Sequence, residues 1–248
     1  MNRSTAAVRP LPELLESLRA KGVRRGVGPM AGEAPAASFP SNRGAISTGF
    51  TALDGALGTG GWPRGALALL DAPRGAGATS LAIRSLAAAQ EAGGIVAWID
   101  GAGCLDVAGL ARMGVRLEWL LVVRPASVSE GVELAGWLAR SGLVDATVLD
   151  LGEGSEGSEG SGLPAGSGAL VAALDRLGKL LVRGRSVALL LTPERLRAVA
   201  GRVAAVRLSL EREAWLAVGR DLVGQRVRAT VDRHRWALAG AAATLDLW

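Results

Sequence analysis

Leu70-Asp71-Ala72-Pro73-Arg74-Gly75-Ala76-Gly77-Ala78-Thr79-Ser80-Leu81 follows an apolar run, Gly65–Leu70, and opens an alanine-rich stretch, Thr79–Glu91, stopped by Gly93-Gly94. Strand, glycine-containing turn and helix in that order place backbone N–H groups and a helix N-terminus where phosphate oxygens bind. The phosphate-loop motif is G-x-x-x-x-G-K-[ST]. Here Ala72 stands at the first glycine, Gly77 at the second, Ala78 at the lysine and Thr79 at the hydroxyl. The lysine reaches the β- and γ-phosphates. The loop is therefore shaped for a nucleotide but lacks its main charge, which reads as the relative of an ATPase that has stopped being one.

The remaining composition narrows the chemistry. With 248 residues, 49% of them apolar, the chain can build one sizeable core, or one domain with a small appendage. A formal charge of +5 suits an acidic partner such as nucleic acid, although Arg-rich chains are also basic without one. Cys104 is the single cysteine, which excludes an internal disulfide and a cysteine-cluster metal site. His234 is the single histidine, which argues against a His-based triad or zinc centre. No 18-residue uncharged run and no N-terminal apolar region point to a membrane or to secretion, so the expected location is the cytoplasm.

Residues 1–45 read as an N-terminal helix and linker. Pro10–Arg19 carries Leu11, Leu14, Leu15 and Leu18 on one stripe, and Gly26–Asn42 has no periodicity. The helix is either a docking element on a tether or packed on its own core. Residues 46–248 read as the core domain. Expected strands are Ala66–Leu70, Ile95–Ile99, Leu120–Val123, Ala146–Leu149 and Val187–Leu191, apolar runs of the kind buried in a parallel sheet. Expected helices are Thr79–Glu91, Val107–Met113, Val128–Arg140, Ala169–Val182 and Pro193–Ala200. Beyond about residue 202 the pattern changes to Val203–Leu210, Ala214–Val218, Arg226–His234 and Ala241–Leu247, with turns near Gly219 and Gly240. Arg226–Asp232 alternates with period two, which predicts an antiparallel extension with Arg226, Arg228, Arg233 and Arg235 outward. The stretch 152–162, rich in Gly, Ser and Glu, reads as a mobile acidic loop. The fold class is α/β: a mostly parallel sheet flanked by helices, with antiparallel C-terminal strands.

Ile46-Ser47-Thr48-Gly49, Ala52-Leu53-Asp54, Gly60-Gly61-Trp62-Pro63-Arg64-Gly65, the loop region, Trp98-Ile99-Asp100 and Leu138–Asp145 together resemble the core domain of the bacterial recombinase RecA. The agreement runs in close register over roughly residues 44–150 and more weakly beyond. It implies a P-loop NTPase core. It also implies a set of roles. The phosphate lysine falls on Ala78, and the water-activating glutamate after the second strand falls on Ala102. The magnesium aspartate fits Asp150, and the γ-phosphate-sensing glutamine falls on Pro193. A general base typically contributes 10²–10⁴ in rate. The resemblance therefore leaves Pro73, Arg74, Gly75, Gly77, Thr79 and Asp150 as a vestigial nucleotide site, with no catalytic residue and no metal site expected. ATP with magnesium is the cofactor such a site would take, and none is expected to be needed.

Beside these readings stand plainer ones. Thr79 fits a helix start, Asp150 a strand end, and Gly75 and Gly77 turn geometry. Arg74 is close enough in sequence to stand in for the missing lysine. Arg195, Arg197, Arg202 and Arg207, with Arg212, read either as a strip for DNA or a partner, or as a solvated basic face. The absence of interleaved Tyr or Phe argues against base stacking. Trp62, Trp215 and Trp248 are candidate partner anchors or core residues.

A RecA-like chain of this size with such a loop also resembles the ImuA family, on Gly60–Leu67 and Leu121–Pro125. That resemblance implies an adaptor in SOS-induced, error-prone translesion synthesis. Its partners would be the ImuB-like Y-family polymerase relative and RecA, and indirectly a DnaE-type error-prone polymerase. The alternatives are a RecA-like DNA-binding ATPase and a regulator that caps RecA filaments.

Overall fold

The computed structural model describes residues 44–152 and 167–248. The N-terminal helix and linker, and most of the acidic Gly/Ser/Glu stretch, lie outside the described residues. A two-strand ladder opens the chain: β1 (Ala45–Ile46) pairs antiparallel with β2 (Trp62–Pro63), around the short helix α1 (Thr51–Ala56). Then follow β3 (Leu67–Asp71), α2 (Ala78–Glu91), β4 (Val96–Asp100), α3 (Val107–Arg112), β5 (Leu120–Val123), α4 (Val128–Ser141) and β6 (Ala146–Asp150). The chain continues through α5 (Ser167–Arg183), β7 (Val187–Leu191), α6 (Glu194–Val203), β8 (Val206–Val218), β9 (Asp221–His234) and β10 (Ala242–Leu247).

Eight strands make one sheet in the order β10-β9-β8-β3-β7-β6-β4-β5. From β8 to β5 all neighbours are parallel; β8, β9 and β10 pair antiparallel. The expected fold class is the one observed. The central parallel strands β3, β4, β6 and β7 are apolar on both faces because both are covered, whereas β5, at the edge, exposes Val122. On β3, Ala68 and Leu70 join a core with α1, α2 and α3, whereas Leu67 and Leu69 join a core with α4, α5 and α6.

Five expected strands and five expected helices appear within a few residues of their predicted ends. The C-terminal part differs. Val203–Leu210 and Ala214–Val218 were expected as two strands, but they form one 13-residue strand, Val206–Val218, with the helix before it running on to Val203. The charged triplet Glu211-Arg212-Glu213 does not break it, because register shifts between Arg212 and Ala214 and between Leu216 and Ala217 absorb the irregularity. The turns come at Gly219 and Gly240, both with positive φ. Arg226, Arg228, Arg233 and Arg235 do face outward.

Trp62 is not a surface anchor. It is fully buried, and its indole N–H donates to Ser85 Oγ at 2.9 Å. The Ser85 hydroxyl lies within reach of the Thr48 and Leu81 carbonyls, fastening the opening ladder to α2. Trp215 and Trp248 are exposed. Among the described residues no helix is long and apolar enough to cross a membrane.

His234 ends β9 with 9% of its surface exposed, and its Nδ1 accepts the Trp236 N–H at 3.1 Å. Burial pushes its pKa from 6.5 down to about 4. Between those values the unfolded chain binds a proton that the folded chain refuses. The histidine's contribution is therefore complete above pH 6.5 and is lost as pH falls towards 4. Urea unfolding at pH 7 and pH 4.5 is expected to show a larger loss for the natural chain than for His234→Leu. Equal losses would contradict this assignment.

Candidate functional site

The loop after β3 is built by two left-handed glycines. Gly75 has φ +76° and Gly77 has φ +91°. Gly77 is the N-cap of α2 and offers no side-chain cap. The first-turn amides of Ala78 and Thr79 and the amide of Gly77 have no acceptor among the described residues. Such amides are the part of a phosphate loop that cradles oxygens. Pro73, Arg74, Gly75 and Thr79 are exposed. The loop therefore keeps its shape and its donors, with Ala78 where the motif carries its cation.

The other wall of the loop comes from the C-terminal strands. A Cβ at Gly77 would lie 2.3 Å from Leu247 Cδ1 and 3.1 Å from Gln225 Nε2. Gln225 and Leu247 are register partners on β9 and β10, so one rung of the antiparallel extension is pressed against the loop. Leu247 is buried there, and Gln225 Oε1 is buried without a hydrogen bond. Arg212 Nη1 reaches the Gly75 carbonyl at 3.4 Å, with its guanidinium 4.2 Å from the centre of the exposed Trp215 ring.

Under the loop sits Asp71, the last residue of β3. Its Oδ2 takes Arg207 Nη2 at 2.6 Å and its Oδ1 pairs with Arg197 Nε at 3.3 Å. Arg197 also donates to the Ala72 carbonyl, and Arg207 reaches Asp232 at 3.6 Å. Two of the five arginines read as a strip or solvated face, Arg197 and Arg207, are thus half-buried and tied to Asp71. Arg195 and Arg202 are exposed, at the first and last turns of α6. Arg212 lies against the loop, so the five do not form one surface. Sequence reading missed Asp71 because it lies more than 120 residues from both arginines; a carboxylate closing an apolar run was the available signal.

Asp150 ends β6, two strands from β3 in the sheet, or about 10 Å at the usual spacing. Leu70, Leu191, Asp150 and Asp100 form one register row along the C-terminal edge of the parallel strands. Burial raises the Asp150 pKa, and the nearby Asp100 adds to this, while the Gly152 N–H donated to Oδ1 at 3.0 Å opposes it. Asp100 is buried, accepts the Cys104 and Leu105 amides and pairs with Arg124 at 3.1 Å. It thereby shapes the turn that carries Ala102. A Cβ at Gly152 would meet Ala102 Cβ at 2.6 Å, so Ala102 abuts the end of β6. Burial, and then the Asp150 and Asp100 charges, raise the Cys104 thiol pKa. Pro193 caps α6 with no side-chain donor.

The fit to magnesium nucleotide is partial. Loop amides, the Thr79 hydroxyl and the Asp150 carboxylate match such a ligand. Ala78, Ala102 and Pro193 supply neither cation, base nor donor. Among the described residues no group of three His, Cys, Asp or Glu could hold a metal ion.

Comparison with known proteins agrees with this geometry. The family model of the RecA N-terminal domain matches residues 37–153. RecA of Desulforapulum autotrophicum is 46% identical over 105 residues, 42% of this chain and 30% of that protein. RecA of Chloroflexus aurantiacus is 32% identical over 224 residues, 82% of this chain and 64% of that protein. RecA of Rubrobacter xylanophilus is 33% identical over 225 residues, 82% and 65% respectively. The chain thus spans less than two thirds of the length of each of these relatives. A RadB recombinase crystal structure superposes with a TM-score of 0.61 at 20% identity, covering 81% of this chain and 95% of that one, which is a likeness of fold.

Asp71 closes this region mechanically, and its removal leaves two guanidinium groups without their acceptor. Asp71→Ala is expected to cost about 2 kcal/mol, read as a fall in the urea midpoint. An unchanged midpoint would mean that the cluster contributes nothing.

Proposed function

We propose, on the premise that this chain carries a RecA-like core domain, that it works as an ATP-independent adaptor of the ImuA type. It would act through protein contacts in SOS-induced, error-prone translesion synthesis. The carrying observation is the loop: Ala78 replaces its lysine, and Leu247 and Gln225 fill the space beside Gly77. Loss of the base position to Ala102 and of the sensing position to Pro193 supports the same reading. The expected partners are an ImuB-like polymerase relative and RecA, with a DnaE-type polymerase engaged through them. On this reading the exposed Trp215 and Trp248 are available to partners, since Trp is enriched at interface hot spots.

Complementation of a deletion strain tests the role. Thr79→Ala and Asp150→Ala are expected to restore damage-induced mutagenesis as well as the natural gene does. In mixtures of purified proteins the natural chain is expected to retain the ImuB-like partner. Loss of mutagenesis with either substitution would mean that nucleotide chemistry is required. Retention of RecA without the ImuB-like partner would favour filament capping.

A further inference from the structure

The edge of the sheet opposite the phosphate loop carries its own concentration of charge. A ladder of backbone bonds crosses it. Arg235 N–H donates to the Ala205 carbonyl at 2.9 Å, and Ala205 N–H to Leu67 at 2.8 Å. Gly65 N–H donates to Ser186 at 2.9 Å, and Val187 N–H to Asp145 at 2.9 Å. Five strands, β9-β8-β3-β7-β6, therefore start or end in one row, about 20 Å long at the usual strand spacing.

Helices α4, α5 and α6 all finish at this row. Arg140 and Arg183 lie in the last turns of α4 and α5, and Arg202 in that of α6. Arg185 leads into β7, and Arg233 and Arg235 stand where β9 ends. A Cβ at Gly184 would be 3.0 Å from the Ala139 carbonyl, so the ends of α4 and α5 touch. Arg233 donates to the carbonyls of Gly201 and Arg202, fastening β9 to the end of α6.

All six arginines are exposed. None has a carboxylate partner among the described residues. Asp145 is committed to Arg64 at 2.6 Å, Asp175 to Lys179 at 2.7 Å, and Asp232 to Arg207 and Ser209, while Glu91 is exposed at the end of α2, beyond the β6 end of the row. Helix C-termini favour cations, which accounts for Arg140, Arg183 and Arg202. It does not account for Arg185, Arg233 and Arg235. Six like charges along 20 Å repel one another, and an extended polyanion relieves that.

We infer that this row is a binding site for the phosphodiester backbone of duplex DNA, separate from the phosphate loop and independent of nucleotide. The guanidinium fork suits phosphate oxygens. Trp236 is half-buried beside Arg235, whose guanidinium is 5.8 Å from its ring centre, and Trp137 is exposed on α4 one turn before Arg140. Six arginines against these two aromatics make the phosphodiester backbone the main contact, without regard to sequence. The row matches the rise of about six base pairs.

The test is fluorescence anisotropy with a labelled 20-base-pair duplex across a salt series. The natural chain is expected to bind with a log–log salt slope near −4 to −5, at about −0.9 per phosphate contact. The triple variant R183A/R185A/R202A is expected to bind at least tenfold more weakly at low salt, its slope shallower by about 2.7. Arg→Lys at the same three positions keeps the charge and is expected to keep most of the slope. Arg195→Ala and Arg220→Ala, at the other edge, are expected to change nothing. Absence of duplex binding by the natural chain at 50 mM salt would overturn the inference. So would an unchanged slope in the triple Ala variant, or competition by poly-glutamate equal to that of unlabelled duplex, which would point to acidic polypeptides.

Discussion

A methyl group of Leu247 lies where any side chain at position 77 would have to begin. That contact ties the last strand of the sheet to the first turn of α2, and much of the molecule is arranged to permit it. Gly77 must lack a Cβ, and it must also accept a positive φ. β9 and β10 must be in register so that Gln225 and Leu247 arrive together. β8 must be long enough to carry the antiparallel extension beside the loop, with its partner strand held by Arg207 between Asp71 and Asp232.

The loop region thus serves the fold twice. Its backbone makes the turn from β3 into α2, and its surroundings join the parallel and antiparallel halves of the sheet. Asp71, Arg197 and Arg207 do the second job from below; Gly77, Gln225 and Leu247 do it from beside the loop. A hydrolytic site would need a mobile cation and a poised base at this place. The chain instead has small apolar residues at both positions and fixed ion pairs underneath.

How much of this the sequence disclosed follows from the range of the interactions involved. β5 and β7 appeared at their expected bounds because continuous apolar runs are a local signal; Val187–Leu191 is buried on both faces, whereas Leu120–Val123, at the sheet edge, leaves Val122 exposed. β1 and β2 are two residues each, too short for any periodicity, and were missed. β8 was expected as two strands, Val203–Leu210 and Ala214–Val218, whereas it is sustained through Glu211–Glu213 by its partner across the hairpin. Trp62 could be read as an anchor or as core, and it is core; nothing local announces Ser85, 23 residues on, as the acceptor of its indole. Arg197 and Arg207 looked free for the same reason: their acceptor lies on β3. The departures of Ala78, Ala102 and Pro193 from the motif were legible directly, since they are identities. The packing of Leu247 against Gly77 was not, because it depends on where β10 docks.

The central claim is that this core works without ATP. Isothermal calorimetry with magnesium and a non-hydrolysable ATP analogue, paired with DNA-stimulated phosphate release on the same natural protein, tests it most directly. No binding heat and no release above background is the predicted result. Release above background that disappears in Asp150→Ala would contradict the claim, and would mean that another cation has taken over the place of the missing lysine.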